Sequence, residues 1–106
     1  MGRFVIAAFK PKPGKQAELT AIVEKHFRIL TGEGLVTDRP RYAMQAGDGS
    51  IIEVFEWRSP EAIEKAHHNP VILALWKEFE AACDYVPLAS LPEALHPFSE
   101  FQPLPM

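Results

Sequence analysis

The stretch "IIEVFEW", residues 51–57, constrains the fold of this 106-residue chain more than any other. Side chains along a strand point alternately to its two faces. Ile51, Phe55 and Trp57 are apolar on one phase, and Ile52 and Val54 are apolar on the other. Glu53 interrupts the first phase and Glu56 the second. A strand with one wet face alternates cleanly between apolar and polar, so both faces of this one need a cover, and each cover has to accommodate a carboxylate. "RFVIAAFK", residues 3–10, repeats the pattern, with Phe4, Ile6 and Ala8 on one phase and Val5, Ala7 and Phe9 on the other.

Between these strands the apolar spacing becomes helical. After "PKPG", Leu19, Ile22, Val23, His26, Phe27 and Leu30 recur at intervals of three and four up to about Thr31. Gly32 and Gly34 supply the stop. "RYAMQA" reads as a second short strand, and "GDGS" offers a hairpin turn before the third. Ser59 and Pro60 open another helix as cap and first-turn residue, with Glu61 near its positive end. Asn69-Pro70 breaks that helix, and "VILALWKEFEAAC" continues as a further helical piece. Asp84 to Leu88 reads as a fourth strand. The order β-α-β-β-α-β predicts an α+β, ferredoxin-like domain over residues 1–95, a four-stranded antiparallel sheet with its helices on one face. Residues 96–106 are expected to form an extended, proline-punctuated tail, available to pack on a partner. Helices cover one sheet face. The simplest cover for the other is a second copy of the same sheet about a twofold axis, so a homodimer through the sheet face is expected.

Apolar residues at 47%, charged residues at 24% and a net charge of -3 fit one ordinary globular domain and give nucleic-acid binding no electrostatic footing. No apolar run approaches the ~18 residues of a membrane span. The first apolar stretch is too short for a signal h-region, and Gly2 lacks the Ser or Thr of a myristoylation motif. The single cysteine, Cys83, suits a reducing compartment and no disulfide framework, so a cytoplasmic location is expected.

The element order, the "FKPKPGK" after strand one and the "FEWRSPEAIEKAH" block resemble the dimeric α+β barrel superfamily, and within it antibiotic-biosynthesis-monooxygenase-like proteins. The resemblance rests on an aromatic ending strand three (Trp57), a helix start (Ser59-Pro60-Glu61-Ala62) and a histidine about ten residues on (His67). It covers roughly residues 3–95 and implies the fold and the dimer more sharply than a chemistry, because the superfamily includes oxygenases, haem degraders, isomerases and proteins of no known activity. It also implies a pocket between each protomer's helices and its own sheet. One of Glu53 and Glu56 would then face the pocket and the other the partner, and parity does not decide which.

His26, on the apolar helix stripe, reads either as a hydrogen-bonded core residue or as a pocket base, since imidazole titrates near neutral pH. His67 matches the family histidine, whereas His68 suits the negative end of a helix. Glu53 and Glu56 each require a partner if buried. Arg3, Arg41 or Arg58 would make ion pairs across the dimer, and His26 or His67 would make a site. His26, Glu53 and His67 are thus the candidate catalytic cluster, with Trp57, Trp76, Phe27, Tyr42 and Phe79 as candidate walls for a small aromatic or hydrophobic ligand. The ligand types would suit a metal, but the spacing matches no compact motif, so no metal and no cofactor are expected. Cys83 reads as an inert thiol.

Three functions follow. The resemblance implies a cofactor-independent monooxygenase, in which a base forms the anion of a flat substrate that itself reduces oxygen. A non-catalytic ligand-binding or structural dimer is the alternative, with the aromatic side chains filling the pocket. Haem binding or degradation is the third, although Trp76 stands about where haem-degrading relatives carry an axial histidine.

Overall fold

The computed structural model describes residues 1–105. The elements run β1 (Arg3–Pro11), α1 (Gln16–Gly32), β2 (Tyr42–Gln45), β3 (Ile51–Trp57), α2 (Pro60–Ala66), α3 (Pro70–Ala82), β4 (Cys83–Val86) and β5 (Gln102–Pro103). Two short 3-10 turns, Leu88–Ser90 and Pro92–Leu95, lie between the last two strands. This is a mixed α+β architecture whose single antiparallel sheet has the order β4-β1-β3-β2-β5.

Local chemistry sets the boundaries. The backbone N–H of Gly34, at φ +71°, bonds to the carbonyl of Thr31 and closes α1 in a conformation that glycine adopts without steric cost. Gly49, at φ +91°, turns the β2–β3 hairpin, while Asp48 Oδ1 accepts the Ser50 N–H at 2.8 Å. Ser59 Oγ accepts the Ala62 N–H at the start of α2. Asn69 caps the start of α3, its Oδ1 accepting from the N–H groups of Val71 and Ile72. Its Nδ2 donates to Glu33 just past α1, and Lys25 pairs with Glu78 at 2.7 Å, so α1 and α3 are joined along their outer edge.

Register fixes the two sheet faces. Val5, Ala7 and Phe9 of β1 lie opposite Phe55, Glu53 and Ile51 of β3 and face the helices. Leu19, Val23 and Leu30 of α1 and Ile72, Leu75 and Phe79 of α3 complete that core, all within 2% of full burial. Phe4, Ile6 and Ala8 lie opposite Glu56, Val54 and Ile52 on the other face.

The sheet has five strands, not the expected four. Gln102 and Pro103 pair with Gln45 and Met44 on the outer edge of β2, and the Leu104 N–H donates to the Ala43 carbonyl. An unpaired edge invites association with other chains, and a proline on the edge is tolerated because its missing donor faces away from the ladder. The segment after β4 also covers part of the second sheet face. Leu91 is buried against Ala8, Ala46 and Ile52, with Met44, Val86 and Phe101 around them. At the other end of the same face Phe4, Ile6 and Tyr42 remain 62%, 51% and 62% exposed. No helix among the described residues is long and apolar enough to cross a membrane.

Candidate functional site

The buried carboxylate of β3 organises the site. Glu53 is fully buried on the helix side of the sheet, and its neighbours across both ladders are small, Ala7 on β1 and Ala43 on β2. Two alanines in otherwise bulky strands leave room above the sheet for the glutamate and for a side chain descending from α1. That side chain is His26, itself 5% exposed. Its Nδ1 lies 2.6 Å from Glu53 Oε1, a short charge-assisted hydrogen bond. Phe55 and Phe79 hold the imidazole edge-on, with ring centroids 5.7 and 4.9 Å away.

The second carboxylate oxygen, Oε2, has no hydrogen-bond partner among the described residues and lies 3.7 Å from Arg41 Nη1. Arg41 therefore balances the buried charge across a distance longer than a hydrogen bond, and the same nitrogen sits 3.5 Å from the carbonyl of Val23 on α1. Where Glu53 is a carboxylate, which only accepts, the proton of the bond sits on His26 Nδ1, and in the neutral imidazole Nε2 then carries the lone pair. A histidine held in one tautomer by a carboxylate behind it is oriented to take a proton on its other nitrogen.

His26 lines a cavity of about 270 Å³ between the helices and the sheet. Phe9, Phe55, Trp57, Trp76 and Phe79 form its aromatic wall, and Val5 and Ala7 supply the sheet floor. Glu80 and Tyr85, the solvent-exposed members of the lining, mark its mouth. Partial desolvation against the cavity wall pushes the Tyr85 phenol up to about 12, with Cys83 and Glu80 adding to the effect, so it stays a hydrogen-bond donor. Burial likewise pushes the Cys83 thiol up to about 11, reinforced by Asp84 and opposed by Lys12. Cys83 is a protonated, buried thiol rather than a nucleophile.

The candidates read from the sequence separate in space. His26 and Glu53 are in contact, and Trp57, Trp76 and Phe79 line the cavity beside them. His67 lies outside it. This exposed C-cap residue of α2 places Nδ1 2.8 Å from the Ile63 carbonyl and sets its ring edge-on to Trp76, at 5.1 Å. Phe27 packs 6.1 Å from Phe55 in the core without lining the cavity. Tyr42 is on the opposite sheet face, opposite Val54.

Glu56 also points to that face. Thr37 Oγ1 donates to its Oε1 at 2.8 Å, and Arg39 Nε lies 2.8 Å from the same oxygen. The ion pairs thus use Arg39 and Arg41 of the same chain, with neither Arg3 nor Arg58 at these carboxylates. Phe9, Phe55 and Glu80 are lining residues that the sequence reading overlooks. Once Phe9 is in register with Ile51, the shared phase of Val5, Ala7, Phe9, Phe55 and Glu53 follows, and that phase was the available signal. No His, Cys, Asp and Glu cluster fit for a metal ion occurs among the described residues. No family model, no curated protein and no solved structure matches this chain.

Proposed function

We propose that the chain is a ferredoxin-like dimeric α+β barrel of the monooxygenase-like kind. In this reading it binds a small, flat, hydrophobic molecule in the helix–sheet cavity and oxidises it without a cofactor. The observation that carries the proposal is the His26–Glu53 hydrogen bond, 2.6 Å long, beside an aromatic cavity of about 270 Å³. Pockets for small molecules are concave and mostly apolar, with a few convergent polar groups. This one pairs such a wall with a single oriented base. His26 Nε2 removes a proton from an electron-rich substrate, and the imidazolium that forms is balanced by Glu53. The substrate anion then reduces oxygen directly. For a methylene flanked by aromatic rings, CH2 and O2 become C=O and H2O, and the substrate supplies all the electrons.

The dimer belongs to the same proposal. Phe4, Ile6 and Tyr42 form an exposed apolar patch on the face opposite the cavity, and a second sheet would cover it. The sheet order β4-β1-β3-β2 within the five strands supports the ferredoxin-like reading.

One observation favours a non-catalytic ligand-binding or structural dimer instead: each buried glutamate has an arginine of its own chain nearby. The haem reading lacks support from the cavity, where Trp76 lines the wall and His67 lies outside. Oxygen uptake with anthrone and a panel of electron-rich phenols separates the first two. The wild type is expected to accelerate uptake over buffer, and His26→Gln to remove about a hundredfold or more of that acceleration. A wild type that accelerates none of the panel hands the site to the non-catalytic reading.

A further inference from the structure

The charge arrangement around the cavity restricts what enters it. Among the described residues no lysine or arginine lines the cavity. The ionisable groups that do are His26 at the inner end and Glu80 and Tyr85 at the mouth, and Glu53 stands directly behind His26. Two cations beside these groups are otherwise engaged. Arg41 approaches Glu53 from its far oxygen, and Lys12 Nζ is hydrogen-bonded at 2.7 Å to the backbone carbonyl of Glu80. A ligand carboxylate, sulfonate or phosphate in the cavity would lose its hydration, find no cationic partner, and lie between two carboxylates. Desolvating an unpaired anion in a protein interior is strongly unfavourable.

A neutral hydroxyl fares differently. At the inner end it donates to His26 Nε2, the one ring nitrogen without a hydrogen bond to the protein among the described residues. At the mouth, Glu80 accepts and the Tyr85 hydroxyl donates. The ligand suited to both ends is an aromatic ring carrying an acidic O–H at one end and an uncharged hydrogen-bond donor at the other.

We infer that the cavity selects uncharged hydroxyaromatic ligands, and that Glu80 at its mouth discriminates against anionic ligands and in favour of a donor group. This rests on the cavity being a ligand site but not on its being catalytic. Glu80 acts here as a specificity residue.

The test uses three phenols that share the inner hydroxyl and differ only at the far end of the ring: para-aminophenol, para-cresol and para-hydroxybenzoate. Each is titrated into the wild-type protein by calorimetry near neutral pH, without oxygen. The two uncharged phenols should bind, and para-hydroxybenzoate should bind about tenfold more weakly than para-cresol or worse. Glu80→Gln should remove the advantage of para-aminophenol over para-cresol and narrow the penalty on the acid about threefold. Para-hydroxybenzoate binding as tightly as para-cresol overturns the inference, as does an unchanged ranking in Glu80→Gln or no saturable binding by any of the three. Selective binding without oxygen uptake in the aerobic assay would instead sink the catalytic reading alone.

Discussion

At the scale of single residues, the fold is organised around one buried pair. Glu53 is fully buried, and His26 and Arg41 are the groups that compensate it. Removing one partner of such a pair leaves an uncompensated charge, which typically costs 3–5 kcal/mol. Glu53→Ala should therefore lower unfolding stability by about 3 kcal/mol, read as a lower urea midpoint at unchanged slope. Glu53→Gln keeps an acceptor for His26 Nδ1–H and should cost less than half as much, while removing the negative charge that balances an imidazolium. If His26 acts as a base, Glu53→Gln impairs oxygen uptake out of proportion to its effect on stability. Equal losses of both would favour a purely structural pair. The alanines beside the glutamate make a complementary point. Ala43→Val adds volume directly opposite Glu53 in a packed layer, and overpacking of this kind costs about 1–3 kcal/mol.

At the scale of elements, β4 carries a pH dependence that can be worked out. The Cys83 thiol titrates at about 11 in the folded chain against an ordinary 9.0, and the Tyr85 phenol at about 12 against 10.0. Both are acids whose folded-state values are raised, so the folded protein retains protons that the unfolded chain releases. Their contribution to stability is full below pH 9.0 and is lost as the pH climbs through about 11 to 12. Urea midpoints should therefore fall across this alkaline window, and the fall should be shallower in Cys83→Ala; identical profiles for the two proteins would contradict the assignment. Native Cys83 should also resist iodoacetamide at neutral pH and react once the chain is unfolded. The positions of β1 to β3 and of the three helices are legible in the sequence because local chemistry sets them: Gly34, Gly49, Ser59 and Asn69-Pro70 act within a few residues of themselves. The fourth strand, expected over Asp84 to Leu88, runs instead over Cys83–Val86, and Leu88 opens a 3-10 turn. Strand β5 is not legible. It is two residues long, one a proline, and it exists because the edge of β2, distant in sequence, offers it hydrogen bonds. The site divides in the same way. That Glu53 needs a partner follows from the cost of burying a carboxylate, but that it rather than Glu56 faces His26 follows only from sheet register. His67 lies outside because α2 is seven residues long and ends at that position, turning the imidazole toward the outer edge of Trp76.

At the scale of the whole molecule, the two apolar faces of β1 and β3 are covered in different ways. The helices cover one, apart from the cavity that opens beside Tyr85. On the other, the chain's own segment after β4 packs Leu91 and Phe101 with Ala8, Ile52 and Met44. The row Ile6–Val54–Tyr42, which crosses three adjacent strands, lies at the end bearing the exposed Phe4, Ile6 and Tyr42. A second copy packed about a twofold axis would therefore meet this end of the sheet and not its whole face, with Arg39 and Glu56 at the rim beside Phe4. Sedimentation equilibrium should give twice the chain mass for the wild type. Ile6→Glu places an unpaired carboxylate in each half of that contact, and at several kcal/mol per buried ion the dimer should weaken by about a hundredfold or more. The cavity side of β1 is carried by Val5, Ala7 and Phe9, which point the other way. Monomeric Ile6→Glu should therefore still bind para-cresol with nearly the wild-type affinity. A wild type that sediments as a monomer at every concentration would remove the dimer and leave the exposed patch without its proposed cover. A variant that loses ligand binding together with the dimer would show instead that the partner helps to shape the cavity. That second outcome would move the specificity of the site from Glu80 alone to an arrangement of two chains.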